Sequence, residues 1–211
     1  MESASVATAG HATPADDHHH GPPAANQSAR IDQTILGILL FILSEVMLFA
    51  SFFAAYFFLR VVVGPDTWPP VGIELPVLIA GINTVILISS SFTVHYALEA
   101  IRHNNHNGLK LGLVMTWLLG VTFLFIQINE YIHIGFSPAD GAFGSIFFSL
   151  TGLHGAHVFV GLLLLTFANI RAFRGHFGPA EKDHLGVEVP GIYWHFVDIM
   201  WVVVFTTIYI L

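Results

Sequence analysis

Residues 34–59 read TILGILLFILSEVMLFASFFAAYFFL, 26 consecutive positions that hold one carboxylate, Glu45, and no basic residue. A helix needs about 20 mostly apolar residues to cross the hydrocarbon core of a bilayer, so this stretch predicts a membrane span. Four further stretches meet the same length: Pro76–Ala97, Leu111–Ile134, Phe143–Ala168 and Val189–Leu211. Across the 211 residues 55% are hydrophobic and 10% charged, where a soluble domain carries about a quarter charged residues. The expectation is an all-α polytopic membrane protein, a five-transmembrane-helix bundle, with residues 31–211 forming the membrane domain.

Residues 1–30 form a His/Pro/Ala-rich tail that reads as disordered. They lack the basic start and apolar run of a signal peptide. Asp16, Asp17, His18, His19 and His20 lie there, a cluster that holds a transition metal loosely or is simply solvated. There is no cysteine, which removes disulfides, c-type haem attachment, iron–sulfur clusters and thiolate copper sites. A net charge of −7 gives no footprint for nucleic acid.

Every loop is short, so loop cations report orientation. The side of the N-terminus receives Arg30, Arg102, Lys110, Arg171, Arg174 and Lys182, and the opposite side only Arg60. The N-terminus is therefore expected in the cytoplasm and the C-terminus outside. The loop from Gly64 to Pro70 contains three prolines and reads as a stiff turn. Trp68 and Tyr209 fall where an interfacial aromatic belt is expected.

Ionisable residues inside spans are expensive and usually face protein or a water-filled cavity. Glu45 and His154 both fall near the bilayer midplane, and His157 follows His154 by one turn. Glu45 is either a neutral carboxyl that fixes packing or a titratable group lining a cleft. His154 and His157 need a third ligand from another helix to hold a metal, and hydrogen-bonded packing is the simpler reading. Ser145, Ser149, Gly152 and Ala156 make a small-residue stripe that invites a close neighbouring helix. His195 and Asp198 stand at i, i+3, so they can meet across one turn. Trp194 and Trp201 share a face, and Glu130 sits near the outer end of the third span beside Tyr131. Arg171 and Arg174 close the fourth span, where cations attract anionic headgroups or merely set topology.

These residues carry a pattern. Phe41-Ile42-Leu43-Ser44-Glu45-Val46, Trp68-Pro69-Pro70, Gln127 to Tyr131, Gly152 to Val158 and Tyr193 to Asp198 resemble cytochrome c oxidase subunit III, in its order and spacing from about Ile35 onward. The resemblance implies a non-redox subunit of a haem–copper terminal oxidase in a bacterial cell membrane. Its partners would be subunit I directly, with subunit II and a small subunit IV in the complex. Haems and copper would sit on those partners, with no cofactor, metal or catalytic residue on this chain. It also implies phospholipid held in a cleft and support of sustained proton-coupled oxygen reduction. The residues that follow as lipid-cleft or packing candidates are Glu45, Glu130, His154, His157, Arg171, Arg174, Trp194, His195, Asp198 and Trp201. The longest family members have seven helices, and this chain resembles the last five, so one wall of the cleft would be missing or supplied by another subunit.

Subunit III of a quinol oxidase and the accessory subunit of nitric-oxide reductase belong to the same superfamily; the Ser44-Glu45 pair leans towards the cytochrome c branch. A di-iron hydroxylase needs histidine clusters at the membrane edge, and His103, His106, His176 and His184 do not form one. A proton-coupled transporter, suggested by Glu45 and Asp198, would bring repeat symmetry and broken helices, which the sequence does not display.

Overall fold

A computed structural model describes residues 33–64, 68–70, 72–177 and 184–211. The tail with its His/Asp cluster, residues 65–67 of the proline turn and Lys182 lie outside the described residues. Five long helices follow one another: α1 (Gln33–Val63), α2 (Val77–Arg102), α3 (His106–His133), α4 (Gly141–Phe173) and α5 (Leu185–Phe205), the last running into a π-helical turn, Thr206–Ile210. All five are long and apolar enough to cross a membrane, and no strand occurs among the described residues. Most run past the stretches expected from hydropathy, because a helix continues through the headgroup region after its apolar run ends.

The start of α5 is the clearest displacement. Hydropathy places it at Val189, which would leave Pro190 in the first turn, where its missing N–H costs nothing. The helix instead begins one turn earlier and carries Pro190 inside. His184 O accepts from the N–H groups of Val187 and Glu188, and the Glu188 carboxylate stands 3.7 Å from Arg102.

Helices α2, α3, α4 and α5 close into a ring, each packed on the next and α5 returning to α2; α1 lies outside it against α4 and α5. Only Phe49 and Tyr56 of the 31 residues of α1 are fully buried; Ile38, Ile42, Phe52, Phe53 and Leu59 pack partly buried on the core, and most of the rest of that helix is exposed. The ring, by contrast, is tight. At Gly112 a Cβ would come within 2.9 Å of the backbone of α2, and Thr93 and Thr116 hydroxyls meet there at 2.8 Å. The connection between α2 and α3 is held by Asn105, whose side chain accepts from Gly108 N at 2.9 Å, the usual role of an asparagine N-cap.

Trp194 fixes the ring. A Cβ on Gly120 of α3 would fall 2.5 Å from its indole, and one on Gly161 of α4 2.8 Å. The ring therefore slots between two helices that have no side chain at those places. Its Nε1 donates to Ser90 Oγ of α2 at 2.8 Å, so one residue of α5 touches the other three helices. Trp201, two turns on, donates to Thr84 Oγ1 at 2.9 Å and packs against Phe123 with ring centroids 4.9 Å apart.

Trp68 and Tyr209 are buried against protein, and Trp68 packs between Tyr56 and Phe143. In the stripe of Ser145, Ser149, Gly152 and Ala156, nothing among the described residues lies within 4 Å of a Cβ placed on Gly152, while Ala156 faces a cavity shared with Phe41 and Glu45 of α1. The glycines of α4 that are closely covered are Gly144 and Gly161.

Candidate functional site

Glu45 is carried by α1 and His157 by α4, at the same depth. His157 Nε2 stands 2.9 Å from Glu45 Oε2, and His157 Nδ1 lies 2.8 Å from Leu153 O one turn back. A carbonyl only accepts, so Nδ1 carries a proton. One more proton is then shared between Nε2 and Oε2. With it on nitrogen the pair is imidazolium and carboxylate; with it on oxygen both groups are neutral. Either form is neutral overall, which lets the pair sit among apolar residues without an unbalanced charge. Phe49 packs on the imidazole at 5.0 Å, and the Tyr193 hydroxyl donates to His157 O at 3.3 Å. An open cavity of about 230 Å³ lies beside the pair, lined by Phe41, Glu45, Ala156, His157, Val160 and Tyr193.

His154 separates from its neighbour in the motif. It is fully buried between Phe123 and Trp201 with neither ring nitrogen bonded to protein. Successive i, i+3 positions on a helix diverge by about 60°, enough to put one histidine inside the ring and the other against α1. Among the described residues no three of His, Asp and Glu converge on a point that would hold a metal.

His195 and Asp198 meet through a third residue. Ser91 Oγ of α2 donates to Asp198 Oδ2 and lies 3.1 Å from His195 Nδ1. The expected contact across one turn of α5 is thus an interhelical bridge. The serines at 89, 90 and 91 carry a signal that sequence reasoning passed over. Three hydroxyls in a row inside a span invite partners, and two of them bind Trp194 and Asp198. At the other end of the ring, Glu130 Oε1 accepts from the Tyr209 hydroxyl at 2.6 Å.

The two arginines of α4 divide. Arg171 stacks over Phe167 and Phe177, at 6.0 and 5.2 Å, and reaches the start of α5 at Gly186. Fourteen residues from His157, it returns to nearly the same face of α4. Arg174 lines a different cavity, between α3 and α4.

Residues 24–211 match the family model for cytochrome c oxidase subunit III. The chain belongs to that family, whose members are non-redox subunits of haem–copper oxidases. It is 41% identical over 196 residues to cytochrome c oxidase subunit 3 of Thermostichus vulcanus, covering 92% of each chain. The same subunit of Synechocystis is 40% identical over 202 residues, with 94% of this chain and 82% of that one covered. The human subunit is 38% identical over 200 residues, covering 90% and 72%. This subunit III chain places Glu45 and His157 in one pair at the edge of the bundle, whereas His154, Trp194 and Trp201 belong to the ring interior.

Proposed function

We propose that this subunit III works within cytochrome c oxidase as a supporting chain with no redox centre and no catalytic residue. It packs directly on subunit I, in a complex that includes subunit II and a small subunit IV, and keeps proton-coupled oxygen reduction stable over many turnovers. The observation that carries this reading is the Glu45–His157 pair, one shared proton between two helices, open to an apolar cavity at the bundle's edge. The cavity suits a phospholipid chain, and Arg171, on that face of α4 near its end, suits the headgroup phosphate. Trp194, Trp201, His154, His195, Asp198 and Glu130 serve the packing that holds the cavity in shape.

The names of the relatives favour cytochrome c as electron donor over quinol. The end bearing Arg102, Lys110, Arg171 and Arg174 faces the cytoplasm of a bacterial cell, and Arg60, bonded to Leu211 O at 2.6 Å, faces outside. The test compares purified oxidase containing Glu45→Leu with wild type for bound phospholipid and for the number of turnovers before inactivation. Loss of both is expected. Unchanged lipid content with unchanged turnover lifetime overturns the reading.

A further inference from the structure

On the face of α4 opposite His157, two cavities of about 370 and 320 Å³ lie end to end between α3 and α4. They share Trp117 and Thr166 as a common wall and so form one groove. One end is bordered by Arg174 and Phe173, with the Lys110 ammonium 5.6 Å above the Phe173 ring. The other end reaches Phe159 and Ile128.

We infer that this groove is a binding site for one anionic phospholipid, its phosphate held by Arg174 and Lys110 and one acyl chain lying along Trp117 and Leu163. The site is separate from the Glu45 cavity and rests only on the chain spanning a membrane, not on the role proposed for that cavity.

Four observations converge. Arg174 and Phe159 are fifteen residues apart on α4, which is about 22 Å of helix; one leaflet with its headgroups measures about 20–22 Å. The groove therefore has the length of a single lipid. Its polar atoms are turned inward: Trp117 Nε1 donates to Thr166 Oγ1 at 2.9 Å, and Asn169 Nδ2 to Leu165 O at 3.0 Å. What remains facing the occupant is apolar. Its rim is built of large side chains, Phe125, Phe159 and Phe173, all more than half exposed, whereas a partner helix seeks small residues that let backbones approach. Both cations stand at one end only, which complements a headgroup phosphate, and juxtamembrane Lys and Arg each contribute about 1 kcal/mol towards anionic lipid.

The experiment uses the whole oxidase complex in phosphatidylcholine vesicles doped with a phosphatidylglycerol that carries a photoactivatable acyl chain. Irradiation followed by peptide mapping is expected to label residues 114–128 and 159–173. In the double variant Lys110→Gln, Arg174→Gln that label should fall by roughly thirtyfold, as two lost surface cations imply. In Leu163→Trp, which fills the groove and keeps both charges, it should also be lost. Label around Phe41 and Tyr193 reports the Glu45 cavity and should persist in both variants, so the two sites fail separately. Equal labelling by a photoactivatable phosphatidylcholine would mean ordinary bulk lipid and overturns the inference. So does a groove that stays unlabelled while a photoreactive residue at 163 cross-links to another subunit.

Discussion

The Tyr209 hydroxyl donates a 2.6 Å hydrogen bond to Glu130 Oε1, tying the π-helical end of α5 to the last turns of α3. Both side chains are more than nine-tenths buried, and the second carboxyl oxygen of Glu130 has no protein partner. The single phenol therefore provides most of what holds this carboxyl in place. Tyr209 reaches it because the π turn adds a residue per turn and so re-aims side chains at the helix end.

Tyr209→Phe keeps the ring packing on Phe147 and Phe205 and removes only the donor. Leaving a buried carboxyl unsatisfied costs about 1–3 kcal/mol. Thermal unfolding of the detergent-solubilised complex should show subunit III released at lower temperature, with Glu130→Gln, Tyr209→Phe together costing less than the sum of the two single changes.

Gly161→Ala is expected to destabilise the ring more than its size suggests. The added carbon would meet the Trp194 indole at 2.8 Å, and overpacking of this kind costs about 1–3 kcal/mol. The same substitution at Gly152, where nothing lies within 4 Å, should leave the isolated subunit's stability unchanged. Parallel denaturation of the two variants checks the contrast.

At the Glu45–His157 pair, Glu45→Gln retains a side chain able to bond His157 Nε2, while Glu45→Leu leaves that nitrogen without a partner. The leucine variant should lose about 1–3 kcal/mol in the docking of α1, and the glutamine variant appreciably less. Protease sensitivity of the loop between α1 and α2 is the readout. Equal sensitivity of both variants would contradict the shared-proton geometry.

Asp140, at the exposed start of α4, accepts from the Ser137 N–H at 2.7 Å. Hydrogen bonds from the Ser137 side chain and backbone hold its carboxyl below the ordinary carboxylate value. A depressed carboxyl contributes above its unfolded value and loses that contribution as pH falls through its folded one. Exchange protection at the Ser137 amide should thus hold at neutral pH and vanish only in strong acid. In Asp140→Asn it should be weaker at neutral pH and no longer respond to acid.

The spans were legible because hydrocarbon imposes a length and an apolar composition that few other structures need. The depths of Glu45 and His157 followed from counting residues. Which of His154 and His157 would meet Glu45 did not follow, because both lie in one short motif and only the placement of α1 beside α4 separates them. Ser91 as the bridge between His195 and Asp198 was equally hidden, since it comes from a helix about a hundred residues earlier. Arg171 and Arg174 look like one basic group in the sequence, yet Arg171 is drawn onto Phe177 and the start of α5 while Arg174 borders the cavity between α3 and α4.

Because Trp194 sits between Gly120 and Gly161 and bonds Ser90, the cavity it fills exists only after α2, α3 and α4 have come together. Its own helix is the last of the five to leave the ribosome. A chain lacking α5 would expose the two glycine faces to lipid, with the Ser90 hydroxyl left only its bond to Leu87 O. Closure of the ring thus waits on α5, and the pairing of the three earlier helices is provisional until Trp194 arrives.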